Sequence, residues 1–134
     1  MFANKVKKVA AIHDLSGMGR VSLTVVIPIL SSMGFQVCPL PTAILSNHTQ
    51  YPHFTFLDLT DEMPRIIAEW KRLEVEFDAI YTGYLGSPRQ IQIVSDFRIS
   101  IGIGILKNMF HITAVDLYGN ALYTNTIPFP YSNT

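Results

Sequence analysis

The sequence has very little cysteine, no excess of charge of either sign and no long apolar run. Its single cysteine, Cys38, excludes an internal disulfide, so a disulfide-stapled secreted domain is not expected. Ten Lys and Arg residues balance ten Asp and Glu residues, whereas nucleic-acid-binding proteins usually show a basic excess. The longest apolar runs, 21–30 and 99–106, are shorter than the roughly 20 residues that cross a bilayer, and no targeting signal is recognisable. We therefore expect a cytoplasmic protein that binds neither nucleic acid nor membranes.

The composition that remains is that of one folded domain. Apolar residues make up 49% of the 134 residues, which is enough to bury a core. Charge is spread unevenly, because Lys107 and Asp116 are the only charged residues of the segment 99–134. A tail with so little charge would be poorly soluble if it were exposed. We therefore expect this tail either to pack against other parts of the protein or to belong to a longer chain.

Alternating strand and helix signals predict an α/β domain with a mostly parallel sheet. Gly34 is expected to end the first helix, Thr60 to cap the second, and Pro88 to open the third after Ser87. The strands are predicted near 8–12, 36–45, 78–82 and 111–115, and the helices near 20–33, 61–73 and 87–97.

Three polar clusters follow the predicted strands at the points where those strands end. They are His13–Arg20, Ser46–Tyr51 and Thr82–Ser87. Because ligands of parallel α/β sheets bind outside the carboxyl ends of the strands, we expect the three clusters to converge on one cleft.

Each cluster allows a functional and a structural interpretation. The glycines of 16–20 can present backbone N–H groups to an anion, or they can form a tight turn from strand to helix. Asp14 can accept a hydrogen bond from a ligand or cap that turn, and Tyr84 can stack on a flat ligand or fill the core. The sequence carries neither a Walker loop nor a Gly-x-Ser-x-Gly elbow, and its four histidines lack metal-ligand spacing. The residues alone therefore predict a ligand site without identifying its ligand.

The clusters occur in the order and rough spacing of the pyridoxal kinases, a family of the ribokinase-like superfamily. The second cluster reads Ser-Asn-His-Thr-Gln-Tyr and the third reads Thr-Gly-Tyr-Leu-Gly-Ser. The turn Asp-Leu-Ser-Gly-Met-Gly-Arg at 14–20 resembles the bacterial pyridoxamine and pyridoxine kinase variant, and it is also similar to hydroxymethylpyrimidine kinases. The resemblance covers residues 5–98. It implies a three-layer α/β/α ribokinase-like fold that is incomplete here, with 1–134 the amino-terminal part of a single kinase domain and 99–134 a divergent tail.

The resemblance implies ATP-dependent phosphorylation of the 5′-hydroxymethyl group of a B6 vitamer, within pyridoxal 5′-phosphate salvage. Asp14 matches a position that hydrogen-bonds the substrate ring, Thr49 and Gln50 match the loop that covers the ring, and Tyr84 matches a tyrosine of the same pocket. Asp116 matches an aspartate near the ATP phosphates and the metal cation. The expected cofactors are ATP and Mg²⁺, with K⁺ as a further candidate cation, and the expected assembly is a homodimer.

The sequence also departs from the family pattern. After Asp116 it reads Leu-Tyr-Gly-Asn, so the proline and the second acidic residue of the family segment are missing. The glycine-rich anion hole and the catalytic base of the family are expected beyond Thr134, so no catalytic residue is assigned within this chain. We expect a truncated or frameshifted copy with weak or no activity. The alternatives are a non-catalytic ligand-binding or self-associating remnant, and a relative of the hydroxymethylpyrimidine kinases.

Overall fold

Four strands form one open sheet, with helices packed on both of its faces. The computed structural model describes residues 5–83, 85–101, 109–115 and 121–128. The strand order in the sheet is β3-β2-β1-β4. Its strands are β1 (Lys8–Met18), β2 (Gln36–Asn47), β3 (Phe56–Asp58) and β4 (Ala79–Thr82), and the helices are α1 (Leu23–Ser32), α2 (Met63–Arg72) and α3 (Pro88–Ser100).

The central strand β1 is covered by helices on both faces, which gives the fold its three layers. Its run from Val9 to Ile12 is wholly apolar and buried, as expected for a strand that is covered on both faces. Ala10 and Ile12 join the core beneath α2 and α3, whereas Ala11 packs with Leu23 of α1 on the opposite face. The strand is parallel to β2 and to β4. The predicted three-layer α/β/α fold is therefore confirmed.

Strands β1 and β2 are longer than predicted. The predicted turn at Ser16–Gly19 is wrong for its first part, because β1 continues to Met18 and pairs there with Asn47. Strand β2 continues without a break through Pro39, which lies opposite Ala11 of β1, and it ends at Asn47. Beside Pro39, no described strand pairs with the edge of β2 that faces away from β1, and proline is tolerated in strands that have such an unpaired edge.

The short strand β3 escaped prediction. Its three residues are exposed and pair antiparallel with Ala43–Leu45. Such a short exposed segment carries no alternation of apolar and polar residues by which a strand could be recognised.

Some ends of the helices lie where the sequence predicted them, and others do not. Gly34 follows α1 at a φ of 90°, and Ser87 caps α3 by accepting a hydrogen bond from the Gln90 N–H, so both predictions are confirmed. Helix α1 begins at Leu23, three residues later than predicted. Helix α2 begins after Glu62, so the prediction that Thr60 caps it is wrong. The Thr60 hydroxyl is instead buried and hydrogen-bonded to Asp58 and Gln90.

The strand predicted at 111–115 exists as β5 (Met109–Val115), but it does not join the four-stranded sheet. It pairs antiparallel with β6 (Ala121–Pro128) in a sheet of two strands. Only residues 116–120 separate β5 from β6, and strands so close in sequence pair antiparallel more readily than parallel. Among the described residues, no helix has the length and apolar character needed to cross a bilayer.

Candidate functional site

Two glycines bring the first and second polar clusters into contact. A Cβ atom placed on Gly17 would lie 2.8 Å from the carbonyl oxygen of Ser46, and one on Gly19 would lie 2.5 Å from Cδ2 of His48. The His48 N–H also donates a hydrogen bond to the Met18 carbonyl oxygen at 3.0 Å. Only residues without a side chain allow the backbone to approach this closely, so close packing alone accounts for both glycines.

A third glycine brings the first and third clusters into contact. The Gly83 N–H donates to the Ile12 carbonyl oxygen at 2.9 Å, just after β4 ends. The His13 ring occupies the space beside Gly83, where an added Cβ would lie 1.7 Å from Cε1 of the imidazole. The same ring stacks on Tyr81, with centroids 5.3 Å apart and an angle of 14° between the planes. The predicted convergence of the clusters at the carboxyl ends of the strands thus has two direct contact points, at His48 and at His13.

His13 is a buried imidazole with an unused hydrogen-bonding atom. Its side chain is 9% exposed, and its Nε2 atom has no hydrogen-bond partner within the part of the chain that the structure describes. Burial lowers the pKa of His13, and the neighbouring Asp14 carboxylate offsets part of that effect. The ring is therefore held in its neutral form near neutral pH.

Asp14 lies where the pairing between β1 and β2 is irregular. The register shifts between His13 and Leu15, an interruption of the kind that often redirects a side chain beside an active site. The carboxylate is buried and accepts hydrogen bonds from two hydroxyls, Ser22 to Oδ1 at 2.6 Å and Ser16 to Oδ2 at 3.2 Å. The predicted alternatives for Asp14 were a ligand contact and a cap of the turn. Its bonds hold the carboxylate in place without capping α1.

Ser22 is unusual in its backbone and in its hydrogen bond. It precedes α1, where a serine commonly caps the helix, but its side chain makes no capping bond. Its φ of 54° lies in the left-handed region, which costs a non-glycine residue about 1–3 kcal/mol. The hydroxyl is directed to Asp14 instead. The local backbone is therefore strained in the conformation that fixes the carboxylate.

The loop after β2 is ordered by its own polar groups. The Gln50 N–H donates to Nδ1 of His48 at 3.1 Å, and the His48 and Tyr51 rings pack with centroids 4.9 Å apart. The Asn47 side-chain amide donates to the His53 carbonyl oxygen at 2.9 Å. These bonds leave the Gln50 side chain exposed and that of Thr49 half-buried, beside the end of β2.

The predicted site residues divide into those that the structure describes and those that it does not. Asp14 lies on β1, and Thr49 and Gln50 follow β2, so all three are at the carboxyl-terminal side of the sheet. Tyr84 and Asp116 lie outside the described residues. The described residues contain no group of three or more His, Cys, Asp or Glu side chains that could hold a metal ion.

Gln90 fixes the third cluster, and the sequence pattern did not single it out. It is 2% exposed, and its side-chain amide donates to the Thr42 carbonyl oxygen at 3.1 Å and to the Thr60 hydroxyl at 2.9 Å. Its Oε1 accepts a hydrogen bond from the Gly86 N–H at 2.7 Å. The spacing along α3 could have indicated that Gln90 is buried. Gln90 precedes the buried Val94 and Phe97 by four and seven residues, so the three share one face of the helix.

Replacing Gly19 tests the contact between the first two clusters. Gly19→Ala would place a methyl group against the His48 ring and would force alanine to a φ of 121°. We expect a loss of unfolding free energy of about 2 kcal/mol, measured by urea denaturation. Gly34→Ala is the matched control, because Gly34 also has a positive φ but nothing lies within 4 Å of its added Cβ. Equal losses in the two variants would show that the His48 contact contributes nothing.

Comparison with known proteins places this geometry in a class. No family model matches the chain. A Bacteroides thetaiotaomicron protein assigned as a phosphomethylpyrimidine kinase, crystallised with pyridoxal, is 86% identical, with a TM-score of 0.72 over 74% of this chain and 35% of its own. Pyridoxal kinase from Lactobacillus plantarum is 32% identical, with a TM-score of 0.69 over 72% of this chain and 35% of its own. Pyridoxal kinase from Leishmania donovani, in complex with ADP and pyridoxine, is 25% identical, with a TM-score of 0.64 over 70% of this chain and 34% of its own.

The fold is that of the ribokinase-like kinases. Within them, the chain fits the pyridoxal kinase family over the amino-terminal part of those proteins. It spans about a third of the length of each of the three relatives.

Proposed function

We propose that this chain supplies the vitamer-binding part of a kinase that transfers the γ-phosphoryl group of ATP to the 5′-hydroxymethyl group of a B6 vitamer. The observation that carries the proposal is the 86% identity to a protein crystallised with pyridoxal. The ADP complex of the Leishmania donovani enzyme supports ATP as the phosphoryl donor.

In this proposal the chain binds and orients the vitamer. Phosphoryl transfer depends mainly on positioning the reactants and on neutralising the phosphate charge. Asp14 would hydrogen-bond the ring of the vitamer, and Thr49 and Gln50 would cover it from the loop after β2. Tyr84 would line the same pocket. Asp14 lies on β1, Thr49 and Gln50 follow β2, and Tyr84 comes after β4 in the sequence. A parallel sheet brings the ends of these strands to one edge, where the contacts of Gly19 and Gly83 join the neighbouring segments.

The described residues form no cluster of three or more side chains that could hold a metal ion, whereas Mg²⁺ beside a nucleotide is usually held by one or two carboxylates together with the phosphates. When bound in a kinase, Mg²⁺ neutralises charge on the ATP phosphates. We propose Asp116 as the residue of this chain that would lie near the phosphates and the cation.

A second candidate is phosphorylation of a hydroxymethylpyrimidine. The assignment of the Bacteroides thetaiotaomicron protein as a phosphomethylpyrimidine kinase favours a substrate of the pyrimidine class. The two substrates differ in the ring, since a pyrimidine has a second ring nitrogen and lacks the 3-hydroxyl group of the B6 vitamers. An assay that offers both substrates therefore separates the two functions.

The experiment joins this chain to the remainder of a close relative. Residues 1–101 would replace the matching segment of the Bacteroides thetaiotaomicron protein, and product formation from ATP would be measured with pyridoxal, pyridoxine, pyridoxamine and hydroxymethylpyrimidine. We expect the chimera to phosphorylate at least one B6 vitamer faster than the pyrimidine. Turnover of the pyrimidine alone would favour the second candidate, and no turnover with an active parent protein would contradict both.

The 134 residues alone should turn over poorly, because they span about a third of the length of the related kinases. Loss of a general base typically lowers a rate by about 10²–10⁴-fold. We expect pyridoxal phosphorylation by the 134-residue chain to be at least about 100-fold slower than by the Lactobacillus plantarum enzyme. A comparable rate would show that the chain holds a complete catalytic site.

A further inference from the structure

His48 attaches the loop that follows β2 to the end of β1. Its backbone N–H donates to the Met18 carbonyl oxygen at 3.0 Å, and its ring lies against Gly19, where an added Cβ would be 2.5 Å from Cδ2. Its carbonyl oxygen accepts hydrogen bonds from the Tyr51 N–H and from the Asn47 side-chain amide, both at 3.3 Å. One residue thus connects the first polar cluster to the first and last residues of the loop.

Contacts on opposite edges of the His48 imidazole fix the orientation of the ring. Cδ2 faces Gly19, whereas Nδ1, on the other side of Cγ, accepts a hydrogen bond from the Gln50 N–H at 3.1 Å. The Tyr51 ring packs against the imidazole with centroids 4.9 Å apart. Because a backbone N–H can only donate, Nδ1 is the unprotonated nitrogen of a neutral ring, and the ring hydrogen lies on Nε2.

The hydrogen bond to Nδ1 orders the backbone of a residue that would cover the vitamer in the proposed function. Gln50 is exposed, and an exposed loop residue keeps one conformation only if its bonds offset the conformational entropy that it loses. A loop that is ordered before a ligand arrives spares this cost at binding, so affinity rises without a new contact to the ligand. His48 can therefore strengthen vitamer binding through Gln50.

We propose that His48 is a positioning residue for the vitamer. Through Nδ1 it fixes the backbone of Gln50, and it keeps the loop 47–51 in the binding conformation before the vitamer arrives. The inference rests on the proposed function, because the vitamer is what the ordered loop would cover. The role belongs to one atom of the ring, the Nδ1 acceptor, and this makes it separable from the packing of the side chain.

Two substitutions separate the Nδ1 acceptor from the rest of the His48 side chain. In His48→Asn the Oδ1 atom takes the place of Nδ1 and can accept the Gln50 N–H, whereas in His48→Gln the side-chain oxygen corresponds to Nε2. The dissociation constant of pyridoxal for the 134-residue chain is measured by titration calorimetry. We expect His48→Gln to weaken binding by about fivefold or more, as the loss of one hydrogen bond predicts, and His48→Asn by no more than about twofold.

The matched control is His53→Gln. It makes the same change on the same loop, but at an exposed residue whose backbone carbonyl oxygen, rather than its side chain, accepts the hydrogen bond from Asn47. This variant should keep the wild-type affinity for pyridoxal.

The ligand-free chain offers a spectroscopic measurement of the same hydrogen bond. The ¹⁵N shifts of the His48 imidazole should show the hydrogen on Nε2. The Gln50 amide should exchange with solvent more slowly in the wild-type chain and in His48→Asn than in His48→Gln. The imidazole shifts are measured on the wild-type chain, so this result stands even if a variant fails to fold.

The outcomes separate the proposal from the proposed function. Equal losses of affinity in His48→Asn and His48→Gln, or an unchanged affinity in His48→Gln, overturn the proposal and leave vitamer binding intact. A hydrogen on Nδ1 overturns it as well, whatever the affinities. If the wild-type chain shows the hydrogen on Nε2 and a slowly exchanging Gln50 amide but binds no pyridoxal, the proposed function fails, and the role of His48 in vitamer binding fails with it.

Discussion

Gly83→Ala should lower the free energy of unfolding by about 3 kcal/mol, at the upper end of the usual cost of overpacking. The added methyl group would lie 1.7 Å from Cε1 of His13, and the ring cannot move freely because it is buried and stacked on Tyr81. The loss is measured by urea denaturation. Because the same contact joins the first and third polar clusters, we also expect weaker binding of pyridoxal.

The control for this prediction removes the obstructing ring. In a His13→Ala background, Gly83→Ala should cost much less than in the wild-type chain, because the space beside Gly83 is then open. The difference between the two costs is the coupling energy of the pair. A cost of less than about 0.5 kcal/mol in the wild-type background, the range of ordinary surface substitutions, would contradict the close approach of His13 and Gly83.

Gln90→Leu should also destabilise the protein by about 3 kcal/mol, although leucine is apolar and close to glutamine in size. The side chain of Gln90 bonds to Gly86, Thr60 and Thr42, which belong to three different segments. The substitution removes the buried amide of Gln90 and leaves the partly buried Gly86 N–H without this acceptor. Chemical denaturation gives the size of the loss.

Gln92→Leu provides the comparison on the same helix. The amide of Gln92 donates to Asp96 at 2.8 Å on the exposed face of α3, so its removal should change the free energy of unfolding by less than about 0.5 kcal/mol. If both variants lost the same stability, the buried network of Gln90 would have no special role.

Much of the fold was predictable because strong local signals agreed with the tertiary packing. The apolar run of β1, the glycine after α1 and the serine before α3 each produced the expected element. The location of the polar clusters at one edge of the sheet was predictable because the carboxyl ends of parallel strands lie at the same edge. Each of these features is determined by residues that are close together in the sequence, and sequence patterns describe such local relations.

The features that escaped prediction depend on residues far apart in sequence. Ser16–Met18 suggested a turn, but pairing with β2 extends the strand because Gly17 accommodates the Ser46 carbonyl oxygen. Thr60 suggested a helix cap, but Gln90, thirty residues later, takes its hydroxyl as a hydrogen-bond acceptor. The length of β1 and the hydrogen bonds of Thr60 thus depend on tertiary contacts, which local propensity does not predict.

The site shows the same division. The candidate residues were recognisable from their position after strands, whereas the hydroxyl contacts of Asp14 were not. Ser22 lies eight residues from Asp14 in sequence, and its positive φ departs from the usual geometry of a serine before a helix. Strain of this kind is stored at functional sites more often than elsewhere, and it appears only in coordinates.

A titration of the ¹⁵N-labelled chain with pyridoxal, followed by two-dimensional NMR, tests most directly whether this sheet edge binds the vitamer. We expect the largest amide shift changes in residues 13–22, 47–51 and 82–87, around the contacts of Gly19 and Gly83. Amides of the exposed residues of α2, a helix that contains none of the three clusters, should change little. Shift changes confined to other parts of the chain, or none at saturating pyridoxal, would contradict the assignment of this sheet edge as the vitamer-binding site.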